Sequence, residues 1–375
     1  MPHTSEPTRA THLLTTLTVC TTALSLAACS GTRSTSADKR HSSPHRHHAH
    51  DQHQAPAGDV GPRHFDYRVG DVELTMLNDG ITIMGDTFPF LGANAGRSAV
   101  QDAAETRVPT PPGVAFNVSG LLIRHGGRTV LIDAGYGPFA QNRLSGHLPA
   151  ALAEAGVDPA EVDVVLISHN HIDHTGGLLL EDQKTPRFPN ADVLMTQQEI
   201  DFWTGNPDLS RLQIPDDFKQ FLISSGSTVL NALGDRVRAI RDGEEVAPGI
   251  VAVELPGHTP GHVGFRIELS GADGGGPSEA FYMGDLVHFQ PLQLCHPTWF
   301  DGADSNPEQG VQTRLATLAS LVEPETLVIG PHLPFPAMGR VAALQPEQAG
   351  ADDGNVVYEW LPLIWADTPP RTPSK

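Results

Sequence analysis

His169-Asn170-His171-Ile172-Asp173-His174, followed at once by Thr175-Gly176-Gly177, is the stretch that decides the fold. It comes directly after the apolar run Val162-Asp163-Val164-Val165-Leu166-Ile167. That run reads as a buried strand, and α/β folds place their chemistry at the C-terminal ends of such strands. His169 and His171 are two residues apart, so on an extended backbone both imidazoles point the same way. Asp173 and His174 fall where the chain turns towards a helix and aim at a different point. The stretch thus offers two imidazoles to one cation, and a carboxylate plus an imidazole to a second. A polar loop with chance histidines is the plain alternative, and residues far downstream decide between the two.

Working outward, residues 72–76 alternate as in a half-buried strand that stops at Asn78-Asp79-Gly80. Residues 84–113, rich in Gly, Pro and Ala, read as a long loop over a pocket. Residues 116–123 and 129–132 read as a hairpin around Gly126-Gly127, closed by Asp133-Ala134-Gly135. A short amphipathic helix is expected at 148–155, and Asp158-Pro159-Ala160-Glu161 has the grammar of a helix start. Beyond the histidines come a strand at 192–196, helices at 197–203 and around 217–223, and strands at 250–255 and 263–269. A Gly-rich turn at 271–277 then precedes a strand at 280–283. Residues 307–321 are helical, with Val311, Leu315, Leu318 and Leu321 on one face. A core strand at 327–329 follows, and 356–365 reads as an edge strand because Pro362 is awkward elsewhere. Strands alternate with helices in each half, which predicts two sheets covered by helices.

Three distant residues share the setting of the first cluster. His258 in Pro256-Gly257-His258-Thr259, Asp285 in Met283-Gly284-Asp285, and His332 in Gly330-Pro331-His332 each end an apolar strand beside Gly or Pro. A single strand-end histidine is usually a hydrogen-bonded structural residue. Joined to the first cluster, the three complete a ligand set for two adjacent divalent ions.

This ordered set, His169-x-His171-x-Asp173-His174, then His258, Asp285 and His332, resembles the metallo-β-lactamase superfamily. Asp133-Ala134-Gly135 resembles the acidic turn which that family carries ahead of its histidine motif, and the resemblance runs over roughly residues 65–340. It implies an α/β fold, an αββα four-layer sandwich, with the site at one edge and residues 62–375 forming a single domain. It also implies that His169, His171 and His258 hold one metal, that Asp173, His174 and His332 hold the other, and that Asp285 bridges them. Zinc β-lactamases of the family carry Cys or Ser where this chain has Asp285; a bridging carboxylate resembles instead the hydrolases of phosphoesters, lactones and thioesters. Asn190-Ala191-Asp192, Glu199-Ile200-Asp201-Phe202-Trp203, Gly257-His258-Thr259-Pro260-Gly261-His262 and His332-Leu333-Pro334-Phe335-Pro336 resemble the branch holding methyl parathion hydrolase and quorum-quenching lactonases. Lactonases of that branch often carry a tyrosine three residues after the bridging Asp, where His288 stands here.

The chemistry needs these residue types. Imidazole and carboxylate suit zinc first, with manganese, cobalt and iron as alternatives, and the absence of thiolates argues against a purely structural zinc site. Two cations a few ångströms apart can share a water and lower its pKa from ~16 towards ~7. The same ions polarise a C=O or P=O group and take up its developing charge. Asp173, besides binding metal, is the candidate catalytic residue that passes the proton to the leaving group. Trp203, His288, Phe289 and Phe335, with Phe202 and the loop at 84–113, are candidates to wall a substrate pocket, against core packing as the plain alternative. His262 reads as structural, orienting the loop of His258.

The chain has 375 residues, 39% hydrophobic, with a net charge of −20, which disfavours nucleic acid as a partner. Residues 1–29 resemble a signal peptide, and Leu26-Ala27-Ala28-Cys29 resembles a bacterial lipoprotein processing site that would lipidate Cys29. This implies export to the cell envelope, with the membrane touched only through that lipid, or a secreted or periplasmic protein if Cys29 is not lipidated. Cys20 would be lost with the signal, leaving Cys295 alone as a small buried or partly buried residue. Residues 30–61, rich in Ser, Thr, Pro and His, read as a disordered tether whose histidines cannot preorganise a site.

The function expected is a dinuclear metal-dependent hydrolase of an ester-like bond (lactone, phosphotriester, carboxyl ester or thioester) in a small molecule, its oligomeric state left open. Mononuclear iron chemistry, as in sulfur dioxygenases of this fold, would use His169, His171, His258 and Asp285 only in part and leave His332 idle. A non-catalytic envelope metal-binding protein is the third reading.

Overall fold

The strand that delivers the histidine stretch is the fifth of seven in one sheet, and a second sheet of seven faces it. The computed structural model describes residues 62–108, 113–269, 276–323, 325–344 and 356–363. The expected signal segment with Cys29, the tether at 30–61 and most of the turn at 271–277 lie outside the described residues. The first sheet runs β1 (His64–Val69), β2 (Val72–Gly85), β3 (Val114–His125), β4 (Arg128–Ile132), β5 (Val164–Leu166), β6 (Asp192–Thr196) and β7 (Val237–Ile240), in that order. It is antiparallel up to β4 and parallel from there on. The second sheet is ordered β14 to β8: β8 (Glu245–Ala247), β9 (Ile250–Glu254), β10 (Val263–Glu268), β11 (Glu279–Tyr282), β12 (Thr326–Ile329), β13 (Met338–Leu344) and β14 (Val357–Pro362). Its β11–β12 pair is parallel and the others are antiparallel.

Strand parity explains the layers. Leu121, Ile123, Val130, Ile132, Leu166 and Leu194 point between the sheets, where they meet Ala252, Phe265, Ile267, Ala280, Tyr282 and Val328. Their neighbours Leu122, Leu131, Val165, Ile167, Val193 and Met195 point outward into a second core shared with helices. A strand buried on both faces has no polar alternate position, so its sequence is a continuous apolar run. Those helices are α3 (Leu148–Glu154), α5 (Gln197–Thr204) and α6 (Asp216–Leu233), following the short α1 (Thr87–Phe90), α2 (Arg97–Arg107) and the single turn α4 (Ile172–Thr175). The later α7 (Gln290–Gln293) and α8 (Pro307–Ser320) belong to the second half. The arrangement is the expected α/β sandwich.

Several local expectations need correction. The long loop at 84–113 contains α2, because residues 97–107 hold neither Gly nor Pro and carry two alanines in sequence. The helix expected around 217–223 extends to Leu233. The start at Asp158 yields one 3-10 turn with a full capping box and no α-helix. On α8 the buried residues are Pro307, Gly310, Arg314 and Leu318, so Val311 and Leu315 are only half-buried. Arg314 is buried because it finds acceptors there: the carbonyls of Leu286, Pro297 and Trp299, and the Asp304 carboxylate.

Strand β2 does not stop at Asn78-Asp79-Gly80. The register shifts there, Asn78 Oδ1 accepts from Gly80 N–H, and the strand continues beyond the bulge. The bulge aims the buried Asp79 carboxylate at three backbone N–H groups, those of Tyr136 (3.1 Å), Gly146 (2.9 Å) and Leu148 (2.8 Å). It thereby ties down the chain that follows the Asp133 turn. Asp79→Asn replaces one acceptor by a donor facing an N–H, so unfolding stability should fall by about 2–3 kcal/mol. Urea midpoints measure this, with the exposed Glu105→Ala, expected to stay within about 0.5 kcal/mol, as the control.

Candidate metal centre

Three strand ends and one loop meet at the edge of the sandwich. Beyond β5 the chain bends at Ser168, is extended at His171 (φ −69°, ψ 152°), then folds into the single turn α4. His169 and His171 therefore project together, while Asp173 and His174 leave from the turn. His258 comes from the loop between β9 and β10, Asp285 from just after β11 and His332 from just after β12. Val263 N–H donates to Ser168 O at 2.9 Å, which pins the two sheets together beside the cluster.

The seven residues converge as two groups. His258 Nε2 lies 3.2 Å from His169 Nε2 and 2.9 Å from His171 Nδ1, and Asp285 Oδ2 is 3.3–3.5 Å from the first two. Asp173 Oδ2 lies 3.6 Å from His174 Nε2 and 3.8 Å from His332 Nε2. Asp285 joins both groups, with Oδ1 3.2 Å from His174 and Oδ2 3.0 Å from His332. The edge of a tetrahedron with zinc–nitrogen bonds is about 3.3 Å. The spacings in the first group match it.

Hydrogen bonding on the far side of each ring shows what the inward nitrogens are. His174 Nδ1–H donates to Asp133 Oδ2 (2.7 Å), His332 Nδ1–H to the Asn117 carbonyl (2.7 Å) and His258 Nδ1–H to Asp304 Oδ1 (3.2 Å). Ser168 Oγ donates to Asp133, so it accepts from His169 Nδ1–H (3.1 Å). In all four rings the proton sits on the outer nitrogen, which turns a lone pair inward. His174 Nε2 and Asp285 Oδ1 are buried without any hydrogen-bond partner. Lone pairs facing lone pairs at contact distance fit a divalent cation in each group.

Burial pushes His169 and His258 well below the ordinary imidazole value and brings His171 down to about 4. These three stay neutral, the form that ligates. Burial opposes charge on His174 too, but the negative charge of Asp285, Asp173 and Asp133 outweighs it, so with no ion in place this position draws positive charge, a proton where a cation would otherwise sit. For Asp285 burial works upward and is outweighed by His174, His332, His169 and His288, which hold the carboxyl well below its usual range.

In the sequence Asp133 and Glu199 stand only as parts of motifs, and the structure gives them organising roles. Asp133 sits at φ 59° and also accepts from Ser168 N–H (2.8 Å) and Tyr282 O–H (2.8 Å). The buried Glu199 accepts from Asn170 N–H, Trp203 Nε1–H, Thr259 Oγ and Gly261 N–H, so it joins the loop of His169–His171 to the loop of His258. His262 is structural as expected: Nδ1–H donates to Leu255 O (2.9 Å), and Nε2 accepts from Asp285 N–H (3.0 Å).

A small cavity of about 40 Å³ opens on the cluster, lined in part by Thr82, Phe90, Phe116, Tyr136, Asp173 and His288. It adjoins a larger apolar cleft of about 260 Å³, with which it shares Thr82, Met84, Tyr136 and Phe218. Of the four expected wall residues, only His288 lines the cavity. Trp203 is 1% exposed, packs on His171 at 5.6 Å and spends its N–H on Glu199, so it supports the site from beneath. Phe289 belongs to the outer core, and Phe335 packs on the core between the sheets. Both nitrogens of His288 lie against carboxylates, Asp301 (2.7 Å) and Asp285 (3.0 Å). Cys295 is half-buried, as expected.

A two-sheet sandwich with this ligand cluster at its edge defines a class, and comparison with known proteins agrees. The sequence profile of the metallo-beta-lactamase superfamily matches residues 113–274. The chain is 30% identical over 127 residues to N-acyl homoserine lactonase AttM of Azorhizobium caulinodans, covering 32% of this chain and 41% of that protein. It is 33% identical over 131 residues to hydroxyacylglutathione hydrolase of Methylococcus capsulatus, covering 32% and 41%. The matched region thus spans about two fifths of these relatives. Among solved structures, the hydrolase AbOPH of the beta lactamase superfamily superposes with a TM-score of 0.68 at 25% identity, covering 80% of this chain and 98% of that one. AidC, a dizinc quorum-quenching lactonase, superposes at 0.69 and 23% identity with the same coverage, a likeness of fold. Residues 113–274 thus match the metallo-β-lactamase superfamily profile, and the fold is similar to that of AbOPH from the beta lactamase superfamily.

Asp133 touches no inward nitrogen itself, yet it sets the tautomers of His174 and, through Ser168, of His169. Asp133→Asn should weaken divalent-metal binding about 10–100-fold while leaving the fold intact, as read by chelator competition alongside circular dichroism.

Proposed function

We propose that this chain is a dinuclear metal-dependent hydrolase acting on an ester-like bond in a small, partly apolar molecule. The observation that carries the reading is the convergence of two ligand groups on the single Asp285 carboxylate. His169, His171 and His258 would hold one ion and Asp173, His174 and His332 the other, with zinc the first choice for an all-imidazole and carboxylate set. When bound, the ions supply Lewis acidity to water and to the scissile C=O or P=O oxygen.

The chain's own residues do the remainder. Asp173 is the ligand with a partly exposed side chain, 13%, and it lines the cavity, so its carboxylate can take a proton from the attacking water and hand it to the leaving group. Phe116 packs on His332 (4.6 Å) and His288 (5.3 Å) and keeps bulk water off them. The adjoining cleft, with Met84, Phe218 and Phe221, offers an apolar surface to the rest of the substrate. The similarity to relatives named N-acyl homoserine lactonase and hydroxyacylglutathione hydrolase supports an ester-like substrate. A mononuclear iron site would leave His332, 3.0 Å from Asp285, without a role.

The decisive experiment is a screen of the zinc-, cobalt- and manganese-loaded protein against lactones, phosphotriesters, carboxyl esters and thioesters. Turnover of at least one class, with two metal ions per chain, is expected. His332→Ala should hold about one ion and lose at least about 100-fold in kcat/KM. Full activity in that variant, or one iron per chain in the parent, would overturn the two-metal reading. Envelope anchoring through Cys29 remains a proposal resting on Leu26-Ala27-Ala28-Cys29. Cys29→Ser should move the protein out of the membrane fraction on cell fractionation, and an unchanged distribution would remove the lipid anchor.

A further inference from the structure

Thr82 reverses the usual pattern of its strand. On β2 the flanking residues Ile81 and Ile83 are 37% and 58% exposed, whereas Thr82 between them is buried. An antiparallel strand with one face on a core ordinarily turns its apolar residues inward and its polar ones outward. Thr82 Oγ1 instead lies 3.0 Å from the hydroxyl of Tyr136, which is buried as well. Both backbones are held in place: Thr82 pairs with Phe116 of β3, and Tyr136 N–H donates to Asp79. Burying two hydroxyls costs free energy that Val and Phe of the same shapes would not, so packing alone does not explain the pair.

The pair stands where two cavities meet. Thr82 and Tyr136 line both the cavity of about 40 Å³ on the metal cluster and the cleft of about 260 Å³ beside it. The other two shared residues, Met84 and Phe218, are apolar, as are Phe90, Phe116, Leu212 and Ile214 elsewhere in the small cavity. The exposed Gln141, Asn142 and Asp217 line the cleft alone. A hydroxyl carries one O–H and two acceptor positions. Whichever of the two donates to the other, one O–H is left over, and among the described residues neither hydroxyl has a second hydrogen-bond partner. The junction thus holds one spare donor between apolar walls.

We propose that the Thr82–Tyr136 hydroxyl pair is a specificity-determining contact: its spare O–H donates to an acceptor that the substrate carries between its ester-like group and its apolar portion. This rests on the hydrolase reading above, whose substrate class it narrows. The order of the parts in the protein sets their order in the substrate. The scissile group lies at Asp173 and Asp285, the acceptor at the junction, and the apolar portion against Met84, Phe218 and Phe221 in the cleft. An amide or a second carbonyl a few bonds from the scissile group meets this requirement. A plain alkyl ester leaves the donor unpaired in an apolar wall, and a site built around a hydrogen bond discriminates against such a molecule.

The test uses the full zinc-loaded chain and two acids of equal chain length, N-hexanoylglycine and nonanoic acid, which differ by an amide in place of two methylenes. Thr82→Val combined with Tyr136→Phe removes both hydroxyls and keeps both shapes. No partner is left unpaired, so the urea midpoint should stay near the parent's. Calorimetric titration gives the ratio of the two dissociation constants. The double variant should shift that ratio about 10-fold against N-hexanoylglycine while nonanoic acid stays within about two-fold of its parental affinity. Each single variant should shift it less, because the surviving hydroxyl keeps its own O–H. An unchanged ratio in the double variant, equal losses for both acids, or a loaded parent that binds neither acid would overturn the proposal. If the double variant fails to fold, a crystal structure of the zinc-loaded parent with N-hexanoylglycine decides. Its amide oxygen should lie within about 3.2 Å of Thr82 Oγ1 or Tyr136 Oη, and a longer separation overturns the proposal. A parent that binds no divalent ion would instead overturn the functional reading, whereas two bound ions with an indifferent ratio would overturn only this one.

Discussion

The structure depends on an arrangement that is unfavourable until a cation enters it: five imidazole nitrogens and two carboxylates gathered inside a few ångströms, with lone pairs facing lone pairs. Burying such groups costs several kcal/mol each unless they are paired. The surrounding side chains are disposed to make that arrangement persist. Asp133, Asp304, Ser168 and the Asn117 carbonyl take the outward protons of His174, His258, His169 and His332, so none of these four rings can turn its proton inward without breaking a buried hydrogen bond. Glu199 and His262 then tie the loops that carry the rings to one another.

Close backbone approach is the second requirement. Gly284, at φ 51°, precedes Asp285, and a Cβ there would collide with the His262 ring that accepts from Asp285 N–H. No other residue type satisfies both the turn and the contact. The Gly-Asp pair is thus one device, in which the glycine lets the histidine reach the backbone that aims the carboxylate.

Much of this was legible in the sequence, for physical reasons. Strands buried on both faces leave continuous apolar runs, so the central strands and the polar residues at their ends stood out. The seven ligands were readable because each sits at such an end. Less was readable where one residue type serves two purposes. Thr196-x-x-Glu199 has the pattern of a helix-capping box, yet the Glu199 side chain leaves the helix to bind two loops. Trp203 resembles a substrate wall in sequence but is committed to Glu199. Asp301 and Asp304 lie in an irregular loop with no period, and only the fold brings them behind His288 and His258. Short strands such as β7 and β8 have too few apolar positions to rise above their polar surroundings. Asn78-Asp79-Gly80 carries turn chemistry, which the chain uses for a bulge.

The two sheets are filled by successive halves of the chain, β1 to β7 and then β8 to β14. Each ligand group therefore draws from both: His169 and His171 wait for His258, while Asp173 and His174 wait for His332. Contacts between residues this far apart in sequence form late, because loop closure must precede them. During synthesis from the N-terminus the first half emerges with its four ligands together but no complete coordination sphere. Tight capture of a cation is thereby postponed until the second sheet docks on the first, and a bound ion then acts as a clasp between the halves, stabilising only the finished molecule.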